Sequence, residues 1–69
     1  MKLSARNVLS GKVVDVKRGA TTSHVRIAIA GGAVITASIT NEAVDELQLV
    51  VGDAASAIVK ASDVIVGKG

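Results

Sequence analysis

Ser4-Ala5-Arg6-Asn7 gathers a hydroxyl, a guanidinium, a carboxamide and several backbone N–H groups into four residues. Lys60-Ala61-Ser62-Asp63 repeats the pattern far along the chain, with an ammonium and a hydroxyl in a stretch that reads as a brief turn. Consecutive N–H groups in a turn form a concave seat for an oxyanion. A tetrahedral dianion carries only acceptors, so it needs donors on every side and one or two positive charges. The two stretches supply both. Taken one at a time, Ser4 and Ser62 also read as turn caps, and Arg6 and Lys60 as solvated charges.

Other chemistry has little to draw on. There is no G-x-S-x-G elbow, phosphate-binding P-loop or H-E-x-x-H motif. The carboxylates of Asp15, Glu42, Asp45, Glu46, Asp53 and Asp63 show no spacing that suggests an acid–base pair. Asp45 and Glu46 read as the solvated face of a helix. With His24 the only histidine and no cysteine at all, neither a disulfide nor a zinc site built from thiolates and imidazoles is available. His24 alternates with outward residues and reads as exposed. The expectation is a binding protein, not an enzyme, with no metal ligated directly by protein.

Strands separated by glycine-containing turns must hold the two donor stretches. Gly11–Lys17 is short and β-branched. Ser23–Ala30 alternates, with Val25, Ile27 and Ile29 on one face and His24, Arg26 and Ala28 on the other, the period of a strand with one covered face. Gly31-Gly32 is a strong hairpin signal, because both turn positions can take positive φ. Ala33–Ile39 then reads as the partner strand. In Thr40–Leu49, Thr40 or Asn41 can cap a helix whose Ala43, Val44 and Leu47 fall at helical spacing. A strand over about Ala54–Lys60, a turn at Ala61-Ser62-Asp63 and a last strand at Val64–Val66 complete the chain. The expected fold is all-β: a five-stranded OB-like barrel with one short helix between strands 3 and 4, forming a single domain over residues 1–69.

Composition sets the context. A 69-residue chain buries only about 60% of the surface its unfolded form exposes. Although 49% of its residues are hydrophobic, it has no Phe, Tyr or Trp, so its core must be small and aliphatic. With disulfides and metals excluded, self-association is the remaining way to cover that surface. No stretch reaches the roughly 20 apolar residues that span a bilayer. Met1-Lys2-Leu3-Ser4-Ala5-Arg6 turns polar too early for a secretory signal, so the expected location is cytoplasmic, with no membrane partner. The net charge of +2 is spread along the chain, which suits a small anion better than a polyanion. An OB barrel usually binds nucleic acid, which makes that the rival reading. Such barrels stack bases on aromatic side chains, worth about 1–3 kcal/mol per base, and this chain has none. A purely structural oligomerisation module is the third possibility.

The two donor stretches also carry a family resemblance. Ser4-Ala5-Arg6-Asn7, followed by Leu9-Ser10-Gly11-Lys12-Val13-Val14, resembles the opening of the Mop-type molybdate-binding modules, the molbindins of the TOBE/OB-like family. Ile39-Thr40-Asn41-Glu42-Ala43-Val44 with Leu47, then Val51-Gly52-Asp53, then Ile58-Val59-Lys60-Ala61-Ser62-Asp63-Val64 continue the likeness along essentially the whole chain. The resemblance implies a molybdate- or tungstate-binding module for storage, buffering or homeostasis, without an organic cofactor. Stand-alone members are associated with homohexamers, arranged as a trimer of dimers, that bind the oxyanion at subunit interfaces. Carried over by position, Ser4, Ala5 and Arg6 would contact the oxyanion from one side. Lys60, Ala61 and Ser62 would close it, and Thr40 would add a hydroxyl. Asn7 would hold the turn. The family often has Ser where Ala43 stands, so one hydroxyl is missing here. A second kind of family site lies near a threefold axis, and the loop Lys17-Arg18-Gly19-Ala20-Thr21-Thr22 is the candidate for it, with an ordinary polar hairpin loop as the alternative reading.

Overall fold

Alternating apolar side chains decide which face of each strand is covered. In the computed structural model, which describes residues 3–69, strand β1 runs Asn7–Arg18, β2 Thr22–Ile29, β3 Val34–Thr40 and β4 Ala54–Val59. Met1 and Lys2, part of the polar start noted above, lie outside the described residues. The strands form one antiparallel sheet in the order β3-β2-β1-β4. Helix α1, Asn41–Leu47, connects β3 to β4, and one turn of 3-10 helix, Ala61–Asp63, follows β4. Val13, Val25, Ile27, Val44 and Ala57 make the buried core, with Leu9, Ile35, Ile39 and Leu49 packed around it. Val25 and Ile27 point inward while His24 and Arg26 stay exposed, as the alternation requires.

The hairpin between β2 and β3 matches its sequence signal. Gly31 and Gly32 both take a φ of about +90°, a region that side chains with a Cβ rarely enter. Strand β1 is longer than expected: it begins at Asn7 rather than Gly11, because Asn7–Lys12 pair with Val59–Ala54 of β4. Further along, β1 pairs with β2, and the register slips by one residue between Val13 and Asp15. Such a bulge bends a strand and increases its twist. The turn before β4 docks at the same point: Val13 N donates to Asp53 O at 2.9 Å and Gly52 N to Val13 O at 2.8 Å. The short helix is capped as anticipated, with Thr40 Oγ1 accepting from Ala43 N at 3.0 Å.

One expectation fails. Four strands are present among the described residues, not five, and Val64–Val66 forms no strand. Three residues offer few ladder hydrogen bonds to offset the entropy of ordering them. Ile65 and Val66 are instead 94% and 89% exposed. β3 and β4 are the two edges of a curled, open sheet. Between them runs an apolar groove whose walls include Ile35, Ile39, Leu47, Leu49, Ala55 and Val59.

Candidate oxyanion site

The β1·β4 ladder brings the two donor stretches together. Its last pair is Asn7 with Val59, and the Asn7 side chain reinforces it by donating from Nδ2 to Val59 O at 3.1 Å. Asn7 therefore ties the two strand ends together, where the expectation was that it would hold the turn. The first residues beyond the ladder are Arg6 on one strand and Lys60 on the other. Beyond that pair the ladder ends: Lys60 leads into the 3-10 turn Ala61–Asp63, so Arg6 and Lys60 flank the last pair while Ser62 lies in the turn. Like charges opposite each other on neighbouring strands repel. Among the described residues, neither Arg6 nor Lys60 forms an ion pair. Both are exposed, as are Ser4, Ala61 and Ser62, while Ala5 is half-buried. Two cations thus flank the last pair of one ladder, with a hydroxyl two residues from each along the chain, and among the described residues no carboxylate pairs with either cation. A dianion seated between them would turn that repulsion into two attractions.

Thr40 is not brought to this place. It pairs with Thr22, and β2 in turn pairs Ser23 with Arg18 at the opposite end of β1. The length of β1 separates Thr40 from Arg6 and Lys60 within one chain. Its hydroxyl oxygen accepts from the helix, which leaves the O–H available as a donor.

Thr40 instead borders the other candidate region, the loop Arg18–Thr22. There Gly19 N donates to Thr22 O at 2.7 Å and Asn41 N to Thr21 O at 3.0 Å. Beside the loop lies a cleft of about 360 Å³ lined by Lys17, Arg18, Gly19, Thr22 and His24. Lys17 and His24 face each other across β1 and β2. Sequence reasoning included Lys17 in the candidate loop and read His24 as an exposed strand residue outside any site. Counting outward from the loop was the available signal, since the strands pair residue for residue as far as the bulge. Arg18 is partly engaged already: its Nη1 and Nη2 approach the Asp45 carboxylate at 2.9 and 3.4 Å.

The fold defines a class, a small curled β-sheet module with one short helix, here with exposed cations and hydroxyls near its strand ends. The family model for the TOBE domain matches residues 3–66, and the chain belongs to that family. A relative from Haemophilus influenzae, described as a probable molybdenum-pterin-binding protein, is 49% identical over 67 residues, spanning 97% of each chain. Among solved structures, MopII from Clostridium pasteurianum superposes with a TM-score of 0.91 at 43% identity, covering 97% of this chain and all of that one. The cytoplasmic molybdate-binding protein ModG, in a crystal form with molybdate bound, gives a TM-score of 0.91 at 49% identity, covering 94% of this chain and 46% of that one. The OB-like, Mop-type architecture expected from the residues is therefore the fold, with four strands and one short helix from the single chain.

Proposed function

We propose that this chain binds molybdate or tungstate in the cytoplasm as a single-module storage or buffering protein. It does so as a homohexamer, a trimer of dimers, with oxyanion sites at subunit interfaces. The observation that carries this reading is the pair of unpartnered cations, Arg6 and Lys60, flanked by Ser4 and Ser62 at the end of the β1·β4 ladder. Ala5 and Ala61 contribute backbone N–H groups. Thr40 lies at the other end of the sheet, so a site that uses it together with Arg6 and Lys60 draws on two copies. The exposed Val64-Ile65-Val66 tail and the apolar groove between β3 and β4 supply surface for that association. A second oxyanion seat is assigned to the loop Arg18, Gly19, Ala20, Thr21 and Thr22.

Selectivity over sulfate and phosphate follows from two effects. A fixed ring of donors fits the larger oxyanion and cannot be spanned by a smaller one. Phosphate, partly protonated near neutrality, presents a hydrogen to a site made of donors and leaves groups unpaired. The name of the Haemophilus relative includes a pterin. This chain has no Phe, Tyr or Trp ring on which a pterin, or a nucleic-acid base, could stack, and the oxyanion alone is taken as ligand.

Titration calorimetry with molybdate, sulfate, a free pterin and single-stranded DNA separates these readings. Heat with molybdate alone is expected, and its absence would overturn the proposal. Lys60→Ala removes a charge-assisted contact and is expected to weaken molybdate binding about 10- to 100-fold while the oligomer keeps its mass. Unchanged affinity would remove Lys60 from the site. In the loop, Asp45 competes with an anion for Arg18. The Arg18–Asp45 pair is exposed and contributes less than about 1 kcal/mol to stability. Asp45→Asn is therefore expected to leave the thermal midpoint nearly unchanged and to raise molybdate affinity at the loop about threefold, the free-energy scale of a surface ion pair. Weaker binding by this variant would count against the cleft.

A further inference from the structure

Gly19, Ala20 and Thr21 turn their three successive carbonyls to one residue. Asn41 Nδ2 donates to Gly19 O at 3.0 Å and to Ala20 O at 3.4 Å, and Asn41 N donates to Thr21 O at 3.0 Å. The remaining polar atom of the side chain, Oδ1, accepts from Ser23 Oγ at 2.5 Å. Ser23 is fully buried, so this last bond fixes the carboxamide from the core side and settles which edge of it faces the loop. Across a trans peptide, the N–H of each residue points opposite to the carbonyl before it. The N–H groups of Ala20 and Thr21 therefore point away from Asn41, and among the described residues neither finds an acceptor. Their chain neighbours Gly19 and Thr22, with Lys17, Arg18 and His24, line the cleft.

We propose that Asn41 is the positioning residue for an oxyanion cradle in this loop: by holding the carbonyls of Gly19, Ala20 and Thr21 inward, its side chain and N–H keep the N–H groups of Ala20 and Thr21 turned outward as preformed donors beside the cationic cleft. Successive N–H groups held in this way form an anion-binding concavity, and fixing them in advance removes the ordering cost from the binding step. Asparagine suits the task because it combines one acceptor, for Ser23, with two donors, for the loop. Aspartate would offer the acceptor alone and place a negative charge beside the carbonyls and the anion. Alanine would release the loop. Asn41 touches no ligand in this scheme; it acts through the loop backbone.

The inference rests on the oxyanion reading above, and the test separates the two. Backbone amide resonances of the full chain are followed by NMR during titration with sodium molybdate. In the wild type, Ala20 and Thr21 should shift, and so should Arg6, Lys60 and Ser62, which report the first site. Asn41→Ala should weaken the response at Ala20 and Thr21 about tenfold, the effect of losing one or two hydrogen-bonded supports, with the response at Arg6 and Lys60 unchanged. Ser23→Ala, which frees the carboxamide while leaving Asn41 in place, should weaken the loop response by a smaller factor, and it provides the test if Asn41→Ala does not fold. Shifts at Arg6 and Lys60 without any at Ala20 and Thr21 would overturn the cradle and leave the molybdate reading standing. No shift anywhere would end both. Equal weakening at both places, or a loop affinity untouched by both variants, would mean that Asn41 only supports the fold.

Discussion

Gly11→Ala is expected to destabilise the fold by about 3 kcal/mol, at the upper end of the usual cost of forcing extra volume into a packed interior. Gly11 sits in the middle of β1, paired with Ile29 on one side and Ala55 on the other. A Cβ added there would collide with the Ala28 carbonyl oxygen. It would also lie 2.9 Å from the Ala28 carbonyl carbon and 3.0 Å from Ile27 Cγ2. The obstacle is mainly backbone, and moving it aside means opening the β1·β2 ladder next to the buried Val13 and Ile27. A domain of this length has a total stability of only about 3–10 kcal/mol, taking 0.05–0.15 kcal/mol per residue. The variant should therefore lose a third or more of its stability, seen as a marked fall in urea midpoint by circular dichroism. Wild-type stability would show that the strands can part here at little cost, contrary to the tight approach described above.

The second large effect concerns assembly. Ile65→Asp combined with Val66→Asp is expected to reduce the protein to monomers. In the single chain, Ile65 and Val66 are 94% and 89% exposed, with Val64 half exposed beside them. Burying each of these side chains against a second copy would contribute about 1.5–3 kcal/mol. A carboxylate in the same position would have to be desolvated without a partner. The groove between β3 and β4 carries the matching apolar surface: Leu47 on its wall is 65% exposed and Ile35 and Ile39 are half-buried. Light scattering on the eluting protein gives the mass directly. Because the proposed site draws Thr40 from a different copy than Arg6 and Lys60, molybdate affinity should fall together with the mass. A variant that keeps the wild-type mass would show that the tail lies outside the interface.

Local patterns made most of this fold readable from the residues. Val25 and Ile27 alternate with His24 and Arg26, Gly31-Gly32 closes the hairpin, and Thr40 caps the helix, each through contacts a few residues long. The start of β1 was misread because Gly11 looks like a strand boundary, whereas it is the one residue small enough to pass the Ala28 carbonyl. The bulge between Val13 and Asp15 depends on how β1 divides its length between β2 and β4, and nothing local encodes that division. Val64–Val66 has the β-branched composition of a strand, but a strand also needs an edge to pair with, and propensity does not supply one. Residue type and order single out Ser4–Arg6 and Lys60–Ser62 as the candidate site. The β1·β4 register ends with Asn7 opposite Val59, next to both stretches. The separation of Thr40 and the part played by Asn41 arise from contacts 18 to 22 residues apart along the chain, beyond the reach of any periodicity.

The open sides of the sheet have a consequence for the lone polypeptide. Ala54–Val59 is a border strand of six residues with no Lys, Glu or Pro in it, the residues that commonly discourage stray pairing at such borders. A newly made copy without companions offers that uncharged rim to any extended segment it meets. In the proposed assembly, joining its own kind quickly would also protect against aggregation, independent of what the assembly carries.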